Sequence, residues 1–109
     1  EKTETTPPSL SIEKPRKGYL YISGREVFPL GITVIIGNIT VNVTATDDLT
    51  GIDRVEIYID DELKAYLEEE PYTWLLDERL LGRHVLKIVA YDNAGNTASD
   101  EMAFWIINF

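Results

Sequence analysis

His84-Val85-Leu86-Lys87-Ile88-Val89-Ala90-Tyr91-Asp92-Asn93-Ala94-Gly95-Asn96 is the stretch on which the fold turns. Leu86, Ile88 and Ala90 share one parity; Val85, Lys87, Val89 and Tyr91 share the other. A period of two sends alternate side chains to opposite faces of a strand, so one set faces a core. Asp92 to Asn96 then supplies residues that tolerate left-handed backbone and bond their own main chain, as a hairpin requires. The apolar run Met102-Ala103-Phe104-Trp105-Ile106-Ile107 follows and is long enough to return antiparallel. Two strands are not stable alone, so others must pair with this ribbon or cover it.

Working towards the N-terminus, Tyr72, Trp74 and Leu76 alternate, and before them Val55, Ile57 and Ile59 alternate with Glu56, Tyr58 and Asp60. Leu63 to Leu67 is short enough for an edge strand; one or two helical turns over 61–70 are the alternative. Ile39, Val41, Val43 and Ala45 against Thr40, Asn42, Thr44 and Thr46 form the cleanest strand, with one dry face and one wet face. Gly37-Asn38 before it is a good two-residue hairpin turn, leading back to a strand over 32–36. Tyr19 to Ile22 is a first short strand, interrupted by Gly24 and by Phe28-Pro29-Leu30-Gly31. Residues 1–18, rich in Thr, Pro and charge, are expected to be an extended linker, with Leu10 and Ile12 able to dock on the first sheet. The domain is expected over 19–109.

About seven short strands with turn signals between them predict an all-β sandwich of two antiparallel sheets. Its expected core is Val41, Val43, Val55, Ile57, Trp74, Leu86, Ile88, Ala90, Phe104 and Ile106.

Composition bounds the rest. At 109 residues the chain is one domain plus, at most, a tail. There is no Cys, so burial must stabilise the fold without disulfides. The net charge of -9 disfavours a nucleic-acid backbone as partner. No apolar run is long enough to insert directly into a membrane. The chain opens on Glu1 rather than Met, and is expected to be a piece of something longer. Absent Gln, a single Met and frequent Ile beside Glu lean towards a thermophilic source.

Three blocks in order, Asp53 to Asp60, Pro71-Tyr72-Thr73-Trp74, and Gly82-Arg83-His84 through Asn96, resemble the immunoglobulin-like domains of extracellular and surface proteins of bacteria and archaea. The resemblance covers roughly residues 38–109. It implies an immunoglobulin-like β-sandwich that is not an enzyme. It implies a spacer, stalk or adhesion module at the cell surface or outside the cell, with neighbouring domains of the parent protein as partners. The disulfide and tyrosine corner of antibody domains are absent.

Four sets of residues are candidates for chemistry. His84, the single histidine, opens a strand, and no Ser lies in a nucleophile elbow, so no catalytic residue is assigned. Asp47, Asp48 and Asp53 on one loop and Asp92 and Asn93 on another meet at one end of such a topology and could offer oxygen ligands to calcium. Turn capping explains the same residues without a metal, and no other cofactor is indicated. Asn38-Ile39-Thr40 and Asn42-Val43-Thr44 are glycosylation sequons of outward parity. Tyr58, Tyr91 and Trp105 would lie outward on one sheet and make a surface for protein or carbohydrate, or a cross-strand aromatic set with no ligand. The opposite parity, with Ala103, Trp105 and Ile107 inward, remains open at this point.

Overall fold

The computed structural model describes residues 7–47 and 50–109, and among them every regular element is a strand. In chain order these are β1 (Ser9–Lys14), β2 (Tyr19–Ile22), β3 (Arg25–Pro29), β4 (Val34–Ile36) and β5 (Ile39–Thr46), then β6 (Ile52–Ile59), β7 (Glu62–Leu67), β8 (Tyr72–Leu76), β9 (Leu80–Asp92) and β10 (Thr97–Asn108). They form two layers. The smaller sheet has the order β1-β5-β8, and the larger has the order β3-β2-β4-β10-β9-β6-β7. The sandwich expected from periodicity is present, with ten strands rather than about seven.

The opening stretch behaves as its alternation requires. β9 and β10 pair antiparallel from Tyr91 opposite Thr97 to Leu80 opposite Asn108, a continuous ribbon. Leu86, Ile88 and Ala90 on β9, with Met102, Phe104 and Ile106 on β10, are buried. Val55, Ile57 and Ile59 of β6 extend this inner face, and Ile39, Val41, Val43 and Ala45 of β5 oppose it from the other sheet. Phe104 and Ile106 point inward, so Trp105 and Ile107 face out, which closes the question of parity. Of the expected core, Trp74 alone is only partly buried; it packs on the edge of the cluster between buried Tyr72 and Leu76.

Three expectations need correction. Ser9–Lys14 is not linker: it pairs antiparallel with β5, Ser9 opposite Thr46 and Ile12 opposite Val43, and Leu10 and Ile12 pack against the core. The reason is the alternation of Ser9, Leu10, Ser11 and Ile12, hidden inside a Pro- and charge-rich composition. Gly37-Asn38 is not a hairpin turn. β4 lies in the larger sheet and β5 in the smaller, so the chain crosses between layers there; Gly37 at φ 92° makes the bend, and its amide donates to the Ile107 carbonyl. The larger sheet is not wholly antiparallel, because β4 runs parallel to both β2 and β10.

The segment read as an interruption after Tyr19–Ile22 is strand β3. Ser23 and Gly24, both at positive φ, fold it back on β2. Pro29 is tolerated because β3 is a sheet edge with no further ladder to serve.

Candidate functional site

The two acidic loops do meet. Asn93 donates its side-chain amide to the Thr50 carbonyl at 2.7 Å and its backbone amide to the Gly51 carbonyl at 3.1 Å. Asp92 is buried at 2% exposure, with Oδ1 accepting from the amides of Ala94 and Asn96 and Oδ2 accepting from the Asn96 side chain. Its carboxyl also contacts that of Asp47, whose Oδ1 accepts from the Thr50 amide at 3.3 Å. Burial pushes Asp92 up, but these donors outweigh it and hold the carboxyl below its ordinary range. Asp53, next to Ile52 opposite Asp92, is paired with Arg54 at 2.8 Å, and Asp48 lies outside the described residues.

Asp47, Asp92 and Asn93 therefore come together as a turn that caps its own backbone. Among the described residues no three metal-ligating His, Cys, Asp or Glu side chains form a group. The melting temperature is expected to be the same in calcium and in chelator; an upward shift with calcium would make Asp47 and Asp92 ligands.

Tyr58 and Tyr91 do lie on one outer face, around a residue that alternation alone did not single out. Glu56 is buried at 7% exposure although it faces away from the core. Its Oε1 accepts from the hydroxyls of Tyr58 and Tyr91 and its Oε2 from Arg54 Nε at 2.8 Å. The Arg54 guanidinium sits 3.6 Å from the Tyr91 ring centroid and 5.6 Å from that of Tyr66. Burial raises the Glu56 pKa, but hydrogen bonds from Arg54 and Tyr58 outweigh it and keep the carboxyl ionised; Tyr58, bonded to that carboxylate, is pushed up to about 12. Register puts the signal in view: Arg54 is opposite Tyr91 and Glu56 opposite Val89, so cation, carboxylate and ring are cross-strand neighbours.

Trp105 does not join them. It stands opposite Arg83, while Tyr91 stands opposite Thr97, eight residues back along the ribbon. At a strand rise of roughly 3.3 Å per residue they are about 26 Å apart. Around Trp105 the outer face is apolar in two rows. Leu20, Val34 and Trp105 lie side by side across β2, β4 and β10, as do Ile22, Ile36 and Ile107, with Leu81 next to Ile107 on β9. Trp105 is 48% exposed and Leu81 63%. An open groove of about 430 Å³ runs beside Trp105 between Lys17, Ile32, Arg83 and Glu101. The rings of Tyr19 and Tyr91 are covered by the guanidinium groups of Arg16 and Arg54, while no described cation covers Trp105.

A bacterial Ig domain family model matches residues 8–99. The chain belongs to that family. No curated protein matches this bacterial Ig domain in sequence. Among solved structures it is similar to the fibronectin(III)-like modules of CbhA from Clostridium thermocellum, with TM-score 0.71 and 18% identity over 95% of this chain. It is also similar to an endo-beta-1,4-mannanase from Thermotoga petrophila, with TM-score 0.66 and 14% identity over 97% of this chain. The chain spans 48% of the first solved chain and 21% of the second. These likenesses concern the fold.

The remaining candidates sit apart. His84 Nδ1 bonds the Asp60 carboxyl, which also accepts from the Val85 amide at 2.9 Å. This bond pins the β6–β7 turn, where Asp60 and Asp61 both have positive φ, onto β9. It holds Asp60 below the ordinary carboxylate range, with the Val85 amide adding to it. His84 thus serves a turn. Asn38 and Asn42 are exposed, Asn42 on the outer face of the smaller sheet; Asn38 Oδ1 accepts from Asn108 Nδ2 at 2.8 Å.

Glu56, Asp60 and Asp92 all titrate lower in the folded chain than unfolded. In acid the unfolded chain takes up more protons, so their contribution is present above the ordinary carboxylate values of about 3.9–4.3 and is lost as pH falls through the folded values. Melting temperature measured from about pH 6 down to about pH 2.5 should fall below about pH 4, and Asp60→Asn should flatten the fall. A flat profile in the parent chain would contradict it.

Proposed function

We propose that this bacterial Ig domain is a non-catalytic spacer or adhesion module of an extracellular or cell-surface protein, holding a neighbouring domain in place. The observation that carries this is where its polar groups go. Glu56, Asp60 and Asp92 are each consumed in fixing the fold, and one outward sheet face is apolar. Similar sandwiches forming part of a larger mannanase and of a protein with fibronectin(III)-like modules support a place beside other domains, including those of a secreted hydrolase. The module measures 52 Å along its longest axis. Excising it from the polypeptide that carries it should shorten the maximum dimension seen by small-angle X-ray scattering and leave any neighbouring activity intact. An unchanged dimension would remove the spacer reading.

A second reading, a carbohydrate- or protein-binding module, draws on Trp105, whose ring lies open beside a groove. Titration with soluble β-linked glucan and mannan, followed by tryptophan fluorescence, tests the carbohydrate form; no response would remove it. Exposed Asn38 and Asn42 are proposed glycan acceptors in a host that modifies sequons. Asn42→Gln should then lower the mass by one glycan.

A further inference from the structure

We infer that the outer face of the larger sheet around Trp105 seats a neighbouring domain of the same polypeptide, one presenting an apolar centre with acidic groups at its rim. This rests on the module reading above and adds where the neighbour sits and what it looks like.

The apolar part comes from the rows of β2, β4, β10 and β9. Ile22 is 43% exposed, Ile36 37%, Leu81 63%, Trp105 48% and Ile107 46%, and Ile32 at 56% lines the adjoining groove. Apart from Ile32 and Trp105, these residues stand in register on neighbouring strands, so they form one surface rather than scattered single residues. Contiguous apolar surface of this kind marks a contact site. A hydrogen-bonded sheet face supplies shape for a protein face at little ordering cost. The aliphatic row Ile22, Ile36, Ile107, Leu81 has no polar group to meet sugar hydroxyls, which favours protein over carbohydrate there.

The charge at its border selects the partner. Arg83 stands opposite Trp105, Arg25 opposite Ile22, and Lys17 lines the groove. None of the three makes a salt bridge among the described residues, whereas Arg16, Arg54 and Lys64 are all paired. Glu101, the one acid in the groove, faces Lys87 across the strands. A chain of net charge -9 thus carries, around this apolar patch, three cations without a salt bridge among the described residues. Acidic groups on a partner complement them. A second copy placed patch to patch would oppose cation to cation and bring two like net charges together, and an anionic lipid surface would be repelled by the chain as a whole.

Trp105 is its own reporter. The chain has two tryptophans, and Trp74→Phe leaves Trp105 alone; 5-fluorotryptophan labelling with fluorine NMR distinguishes the two without substitution if that variant does not fold. Acrylamide quenching of Trp105 is compared in this 109-residue chain and in the polypeptide joining it to its neighbour. Quenching should drop several-fold in the longer chain. Arg83→Glu with Lys17→Glu should restore it there and leave the far-ultraviolet spectrum unchanged.

Equal quenching in both chains would overturn the inference. If excision still shortens the polypeptide in that case, the spacer reading stands and only the docking face falls. Quenching of the isolated chain that drops with concentration as its mass doubles would assign the face to a second copy. A blue shift on adding phosphatidylglycerol vesicles would assign it to a membrane. Either result replaces the inference.

Discussion

Phe104→Ala is expected to lower the free energy of unfolding by about 3–5 kcal/mol, the usual cost of emptying a buried aromatic site. Phe104 is 1% exposed at the middle of β10, between buried Met102 and Ile106 on the same face, with the His84 ring 6.1 Å away across the ribbon. Strands pinned on both sides cannot close the hole. A domain of this size has of order 5–15 kcal/mol in total, so the variant should be partly unfolded at physiological temperature. Urea denaturation of parent and variant measures it, and a loss under about 1 kcal/mol would place Phe104 outside the core.

Removing residues 1–14 should be nearly as damaging. The truncation takes β1 from the edge of the smaller sheet, with Leu10 and Ile12, and strips β5 of its partner from Asn42 to Thr46. Two partly buried aliphatic side chains are worth roughly 2–4 kcal/mol by area, before lost ladder hydrogen bonds are counted. The chain starting at Pro15 should melt well below the full chain and bind a hydrophobic dye. If its melting temperature is unchanged, Ser9–Lys14 is an ornament and the sandwich begins later.

Much of this fold was legible in the sequence where side chains alternate strictly. β5 reads Ile, Thr, Val, Asn, Val, Thr, Ala, Thr and is buried and exposed by turns along its whole length. β9 and β10 were legible for the same reason. What alternation cannot convey is which layer a strand joins. Ile32 to Ile36 followed by Gly37-Asn38 looks the same whether the chain makes a hairpin or crosses to the facing sheet; the choice is made by the parallel fit of β4 between β2 and β10. β1 and β3 were hidden by composition, since Pro, Ser and charge at sheet edges read as loop.

The candidate sites divide on similar lines. The loops carrying Asp47 and carrying Asp92 and Asn93 meet because strand directions bring them to one end, which a sequence read as a sandwich already implies. The aromatic face was over-unified. Tyr58, Tyr91 and Trp105 share a parity, but parity fixes the side of a sheet and says nothing of distance along it. Glu56 went unnoticed as the hub because a carboxylate in an outward position ordinarily meets water, and here meets Arg54 and two phenols.

The placement of β10 has a mechanical corollary. It lies in the sheet interior, hydrogen-bonded to antiparallel β9 along one margin and to parallel β4 along the other. Tension drawn along β10 shears its parallel pairing with β4, which spans Trp105 to Ile107, whereas the β9–β10 hairpin, with Leu80 opposite Asn108, peels from its free end. Resistance to such pulling therefore rests on the short parallel pairings of β4 with β2 and β10 rather than on the long ribbon.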